Sequence, residues 1–143
     1  MVESAIFEIF DGLPRQGPGN NGCTEKAFSM LSSLPADVQI LDIGCGSGMQ
    51  TIHLARICKN CHITAVDIYQ PYLDNLMEKA AFEGVSDRIS TVYASMDDLP
   101  FGDNEFDIIW SEGAIFVMGF EKGLVYWKRL LKDGGFMALT EAA

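Results

Sequence analysis

Three glycines stand at alternate positions in Asp42-Ile43-Gly44-Cys45-Gly46-Ser47-Gly48, directly after the apolar run Val38-Gln39-Ile40-Leu41. Glycine admits backbone angles closed to other residues, and a loop without side chains lets a ligand come close to the main chain. A second chemical feature is Asp67, nineteen residues beyond Gly48 and at the end of another apolar run, His62-Ile63-Thr64-Ala65-Val66. A carboxylate there can accept hydrogen bonds from both hydroxyls of a ribose. It also has a plainer use, as a cap for the helix that starts near Pro71. Spacing narrows the ligand. A dinucleotide fingerprint is G-x-G-x-x-G, and its third glycine would fall at Met49, whereas this chain has G-x-G-x-G.

Two further constellations carry less. Cys58-Lys59-Asn60-Cys61 is a C-x-x-C with His53 and His62 nearby, but Cys23 and Cys45 form no second pair, so no metal site is expected. A redox pair would want its thiol at a helix N-terminus, whereas Cys58 falls near a helix C-terminus. The pair is read as partly buried thiols in a turn, and His53 as a helix-face residue.

The elements that must position these residues alternate. After an early helix, for which Ser4 is a cap and Ile6, Phe7 and Phe10 are apolar positions, the stretch from Asp11 to Gly22 is broken by glycine and proline. A helix is expected from Thr24, its N-cap, to about Ser33. Strands are expected at Val38–Ile43, His62–Asp67, Ile89–Ala94, Phe106–Trp110 and Phe136–Thr140, the last after a turn over Lys132–Gly135. Helices are expected from Met49 to about Lys59, from Pro71 with Gly84 as the C′ residue, and from about Glu121 to Leu131. Strands separated by crossover helices imply an α/β fold: a doubly wound, mostly parallel sheet with helices on both faces. Residues 1–143 read as a single domain, with 1–37 as N-terminal helices and lid region and 38–143 as the α/β core.

The chain has 143 residues, is 48% hydrophobic and 21% charged, and carries a formal net charge of −10. That composition excludes a disordered or collagenous chain. Its negative field disfavours nucleic acid and anionic membrane as partners. No basic leader and no apolar run near the ~18 residues of a membrane helix is seen. The expectation is a cytoplasmic protein with reduced thiols.

Taken together, these segments resemble a class I S-adenosylmethionine-dependent methyltransferase. The glycine segment is similar to the first motif of that family and Ala65-Val66-Asp67 to the second. Tyr93-Ala94-Ser95-Met96-Asp97-Asp98-Leu99-Pro100-Phe101 resembles the third region, Phe106-Asp107-Ile108-Ile109-Trp110-Ser111 the fourth, and Leu130-Leu131-Lys132-Asp133-Gly134-Gly135-Phe136 the approach to the fifth strand. The resemblance covers about residues 38–141 and is closest to the small-molecule branch that includes ubiquinone and menaquinone methyltransferases.

The resemblance implies S-adenosylmethionine as cofactor and a small molecule as methyl acceptor. Gly44, Cys45, Gly46 and Gly48 would pass beneath the methionine part, and Asp42 would hold the loop and reach the amino group. Asp67 would bind the ribose, Ile68 and Met96 would flank the adenine, and Ser111 would line the methionine end. Relatives often carry an aspartate where this chain has Ser95, so Ser95 or Asp97 is left as the partner of the adenine amine. Arg15, Gly17 and Gly19 lie where relatives place a lid, or form a plain connecting loop. Glu112 is the candidate acceptor contact, with a structural carboxylate as the other reading. Phe116, Met118, Phe120 and Trp127 line an acceptor pocket or serve as core or dimer contact, the latter preferred. A catalytically inert cofactor-binding domain and a nicotinamide-dependent oxidoreductase are the rival functions. The family fold usually continues past the fifth strand, so the chain is expected to be a shortened form with C-terminal strands missing, whose fifth strand is an exposed edge open to homodimerisation.

Overall fold

The structure is a computed structural model that describes Ala5 and residues 7–9, 12–16 and 19–140. The expected roles of Ser4, Ile6, Phe10 and Gly17 fall outside the described residues. Five strands, β1 (Val38–Ile43), β2 (Cys61–Asp67), β3 (Ile89–Tyr93), β4 (Phe106–Glu112) and β5 (Leu131–Thr140), form one sheet in the order β3-β2-β1-β4-β5. Every pairing is parallel. The α-helices that frame the sheet are α1 (Asn21–Ser29), α2 (Met49–Ile57), α3 (Gln70–Phe82) and α4 (Phe120–Lys128).

Side-chain alternation along the strands builds two cores. Ile40, Ile63 and Ile108 point to one face, where they meet Leu54 and Ala55 of α2 and Leu73 and Leu76 of α3. Leu41, Val66 and Ile109 point to the other, against Trp127 of α4 and Ile115. Helices thus cover both faces, and every residue of β4 is buried, as a central parallel strand requires. The Trp127 indole N–H, fully buried, donates to the Met96 carbonyl at 2.9 Å.

Three local details differ from expectation. Thr24 is not the cap of α1. The Asn20 side chain takes that place by accepting the Cys23 N–H at 3.0 Å, and the helix ends at Ser29 rather than near Ser33. The residues expected as a turn, Lys132–Gly135, lie within the span of β5. Phe106 pairs with Leu131 and Ile108 with Phe136, so β5 carries extra residues in a bulge here, with Gly134 at φ +79°. Cys58 and Cys61 are joined as a disulfide rather than held as free thiols. The tight connection from α2 to β2 sets their Cα atoms 5.5 Å apart, within disulfide reach. Arg88 braces this corner by donating to the carbonyls of Ala55 and Cys58. The end of α3 follows its glycine: Gly84, at φ +73°, donates to the Ala81 carbonyl and Val85 to that of Ala80.

Candidate active site

The strand order reverses direction between β1 and β4, and in doubly wound sheets ligands bind beyond the carboxyl ends of the strands at such a point. The glycine segment leaves β1 there, and Ser111 and Glu112 end β4 beside it.

The loop is held from β2. Gly44 and Cys45 both donate backbone N–H groups to the Val66 carbonyl, at 2.8 and 3.0 Å, and Gly46 donates to Asp67 Oδ2 at 2.9 Å. Gly44, Gly46 and Gly48 adopt φ of +70°, +58° and +84°. A Cβ on Gly44 would stand 2.5 Å from the Ala114 Cβ, and one on Gly48 would overlap the Leu76 side chain. Both positions therefore need glycine for conformation and for room. Cys45 is buried, and its thiol faces the Gly46 carbonyl at 3.3 Å. Burial and the nearby Asp42 charge push that thiol well above its ordinary pKa.

Asp42 shares the face of Ile40 and meets the first turn of α2. Its Oδ2 accepts from Thr51 Oγ1 at 2.6 Å and from Gln50 Nε2 at 3.3 Å. Its Oδ1 is buried and has no hydrogen-bond partner among the described residues. Burial raises its pKa to about 7, against the Thr51 hydrogen bond, with the Glu112 charge adding to the rise. An orphaned carboxylate oxygen beneath a glycine loop suits a cationic amino group.

Asp67 uses its second oxygen to accept the Tyr69 N–H at 3.1 Å, so it braces both the glycine loop and the entry to α3. The capping use weighed for it is therefore present in part, and a carboxylate that can accept about four hydrogen bonds keeps capacity beyond these backbone donors. Burial raises its pKa, opposed by the backbone donors of Gly46, Tyr69 and Ile68. Ile68 is exposed on the rim. Ser95 donates to the Asp97 carboxylate, linking the two candidates for the adenine amine. The terminal methyl of Met96 lies 3.8 Å from the point a Cβ on Gly44 would occupy. Ser111 is fully buried and its hydroxyl is spent on the Ile43 carbonyl at 2.9 Å, tying β4 to β1.

Glu112 is held by three side chains. Its Oε2 accepts from Trp110 Nε1 and from Thr24 Oγ1, both at 2.8 Å, and its Oε1 faces Arg15 Nη1 at 3.4 Å. Gly19 passes so close that a Cβ on it would lie 3.3 Å from Oε1. Arg15 and Gly19 are thus brought to the site.

Gln16 went unnoticed in the sequence. Its Oε1 accepts both the backbone N–H and the hydroxyl of Ser47 at 2.8 Å, and a Cβ on Gly46 would meet it at 2.6 Å. The space left between residues 15–16 and the loop is about 20 Å³, room for one water. Gln50, Thr51 and Thr24 were likewise missed as partners. The available signal was polar residues opening a helix whose neighbours are apolar. Of the aromatic group, Trp127 is core, Met118 packs partly beneath it, and Phe116 and Phe120 are exposed.

The chain matches the methyltransferase domain family over residues 40–135. It is 30% identical over 119 residues to 27-O-demethylrifamycin SV methyltransferase of Amycolatopsis mediterranei, covering 82% of this chain and 43% of that protein. It is 32% identical over 124 residues to demethylmenaquinone methyltransferase of Clavibacter sepedonicus, covering 86% and 49%. The solved structure of YjhP from E. coli superposes with a TM-score of 0.82 at 21% identity, over 95% of this chain and 55% of that one, and shows the shared fold. The chain therefore spans about half the length of the curated relatives it matches. With motifs, sheet order and family match in agreement, the chain belongs to the methyltransferase domain family, in the class that uses S-adenosylmethionine.

Proposed function

We propose that the protein transfers the methyl group of S-adenosylmethionine to a small-molecule acceptor. The observation that carries this reading is the pairing of Asp67 with the Gly46 amide beside the orphaned Asp42 oxygen, at the point where the sheet changes direction. Asp67 offers its remaining acceptor capacity to the ribose, Asp42 its unpartnered oxygen to the amino group, and Ile68 and Met96 apolar surface to the adenine. Ser95 and Asp97, already hydrogen-bonded to each other, form one acceptor pair for the adenine amine. Arg15 supplies positive charge for the carboxylate, and Gly19, which passes beside Glu112, offers backbone to the same strap. Gln16 must leave Ser47 to make room, so residues 15–16 act as the lid expected here. Ser111 acts through the backbone, by keeping the ends of β1 and β4 together.

The cofactor supplies an activated methyl group on a sulfonium, so positioning and exclusion of water carry much of the acceleration. No general base is required of the protein for an acceptor that reacts without losing a proton. A cavity of about 240 Å³ between α1, β4 and β5, lined by Leu31, Trp110, Met137 and Leu139, shares Glu112 with the glycine-loop crevice. We place the acceptor there, with Glu112 as its contact. The finer reading includes a cytoplasmic location, to be checked by cell fractionation, and a second copy pairing along the free edge of β5, to be checked by light scattering. No helix among the described residues is long and apolar enough to cross a membrane.

Calorimetry tests the reading directly. S-adenosylhomocysteine should bind and NAD should not. NAD binding would return the oxidoreductase reading. Cofactor binding without methyl release to any of a panel of acceptors would return the inert binding domain.

A further inference from the structure

A second cavity, about 360 Å³, lies in the groove between α2 and α3, with Asn21 of α1 also in its lining, and shares no lining residue with the acceptor cavity. Met49, Ile52, His53 and Arg56 of α2 follow helical spacing along one wall, and Asn75, Lys79 and Phe82 of α3 follow it along the other. Ile52 is buried in the floor, whereas Phe82 is 88% exposed at the rim. Such a volume suits a small molecule rather than a protein segment.

The charges in the groove are unequally satisfied. Arg56 faces Glu83 at 3.8 Å, and His53 Nε2 faces Glu25 at 3.6 Å without forming a hydrogen bond. Lys79 is half-buried, and among the described residues no carboxylate lies within ion-pair distance of its ammonium. Burial lowers its pKa with no countercharge opposing the shift. Its contact is the Ser47 hydroxyl at 3.4 Å, in the glycine loop itself. An unpaired cation in a chain of net charge −10 is a specific complement to one negative charge. Glu78 and Glu83 in the groove disfavour polyanions.

We propose that the α2–α3 groove binds a small monocarboxylate with an apolar tail, its head on Lys79 and Asn75 and its tail over Ile52 and Phe82, and that binding is felt at the cofactor site through the Lys79–Ser47 contact. The site is separate from the cofactor crevice, and its ligand is an effector rather than a methyl acceptor. The coupling half of the inference rests on the cofactor reading above; the binding half does not.

Octanoate is the probe. Calorimetry on the whole chain without cofactor should show saturable binding, and Lys79→Met, which keeps the alkyl stem, should weaken it about tenfold. Asp67→Ala should leave octanoate binding intact while cofactor binding falls, which separates failure of this site from failure of the other. In the unmodified chain, octanoate should shift the NMR signals of the Ile52 methyls and the His53 ring. It should also change S-adenosylhomocysteine affinity by about fivefold. Equal binding by Lys79→Met, equal binding of uncharged octanol, or NMR shifts confined to other regions would overturn the site. Unchanged cofactor affinity at saturating octanoate would overturn the coupling.

Discussion

The Gly46 amide and the Asp67 carboxylate meet at 2.9 Å, joining the loop after β1 to the tip of β2. One side chain thereby shapes the glycine loop and presents acceptors to the crevice. Asp67→Ala should weaken S-adenosylhomocysteine binding at least tenfold, on the order of a lost charge-assisted hydrogen bond. It should also lower the melting temperature, since the loop loses its brace. Undiminished affinity by calorimetry would remove Asp67 from the site.

Stability should carry the signature of Asp42. Its pKa is about 7 in the folded protein against an ordinary 3.8. Between those values the folded state keeps a proton that the unfolded chain has released, so stability falls as pH rises through that window. Asp42→Asn should flatten the fall measured by urea unfolding at pH 5 and pH 7.5, leaving the smaller share that Asp67, also raised, contributes. Cofactor affinity should move the opposite way, rising toward pH 8 as Asp42 ionises. Identical pH slopes for the two proteins would remove Asp42 as the source.

Glu112 predicts an asymmetry between two substitutions. Glu112→Ala strands the Trp110 and Thr24 donors and frees Arg15, and should cost roughly 3 kcal/mol. Glu112→Gln keeps an acceptor oxygen and should cost clearly less. Equal losses in urea titrations would mean that these hydrogen bonds do not hold the strap to β4.

Two glycines separate backbone strain from crowding. Gly84 has φ +73° and open space around it, so Gly84→Ala should cost roughly 1–2 kcal/mol. Gly48 has φ +84° and the Leu76 side chain against it, so Gly48→Ala should add roughly 1–3 kcal/mol to a similar strain. Comparable denaturation midpoints for the two variants would show that the α2–α3 packing yields freely.

Alkylation of the unfolded, unreduced chain followed by mass spectrometry should label Cys23 and Cys45, and reduction should add Cys58 and Cys61. Four labelled thiols without reductant would mean that the corner between α2 and β2 is held without a cross-link, by Arg88 and the hydrogen bonds of Asn60.

Strands β1 to β4, the break at the glycine cluster and the acid at the tip of β2 were legible in the sequence because they are local, whereas the first half of β5 was not. A short apolar, β-rich run, a break at glycine and an acid at a strand end are written in neighbouring residues. The end of α3 was readable for the same reason, since Gly84 answers a backbone need at its own position. The cap of α1 was misread because Asn20 and Thr24 are both good caps. The choice turned on Thr24 being needed 88 positions away, by Glu112. Gln16 on Ser47, Lys79 in the α2–α3 groove and the cross-linked corner at Cys58 and Cys61 were likewise set by packing. Sequence alone determined the order and type of the main elements and the family to which the chain belongs. Tertiary structure decided which buried charge is satisfied and which is left open, because desolvation and hydrogen bonding depend on residues that meet only when the sheet and its helices close together.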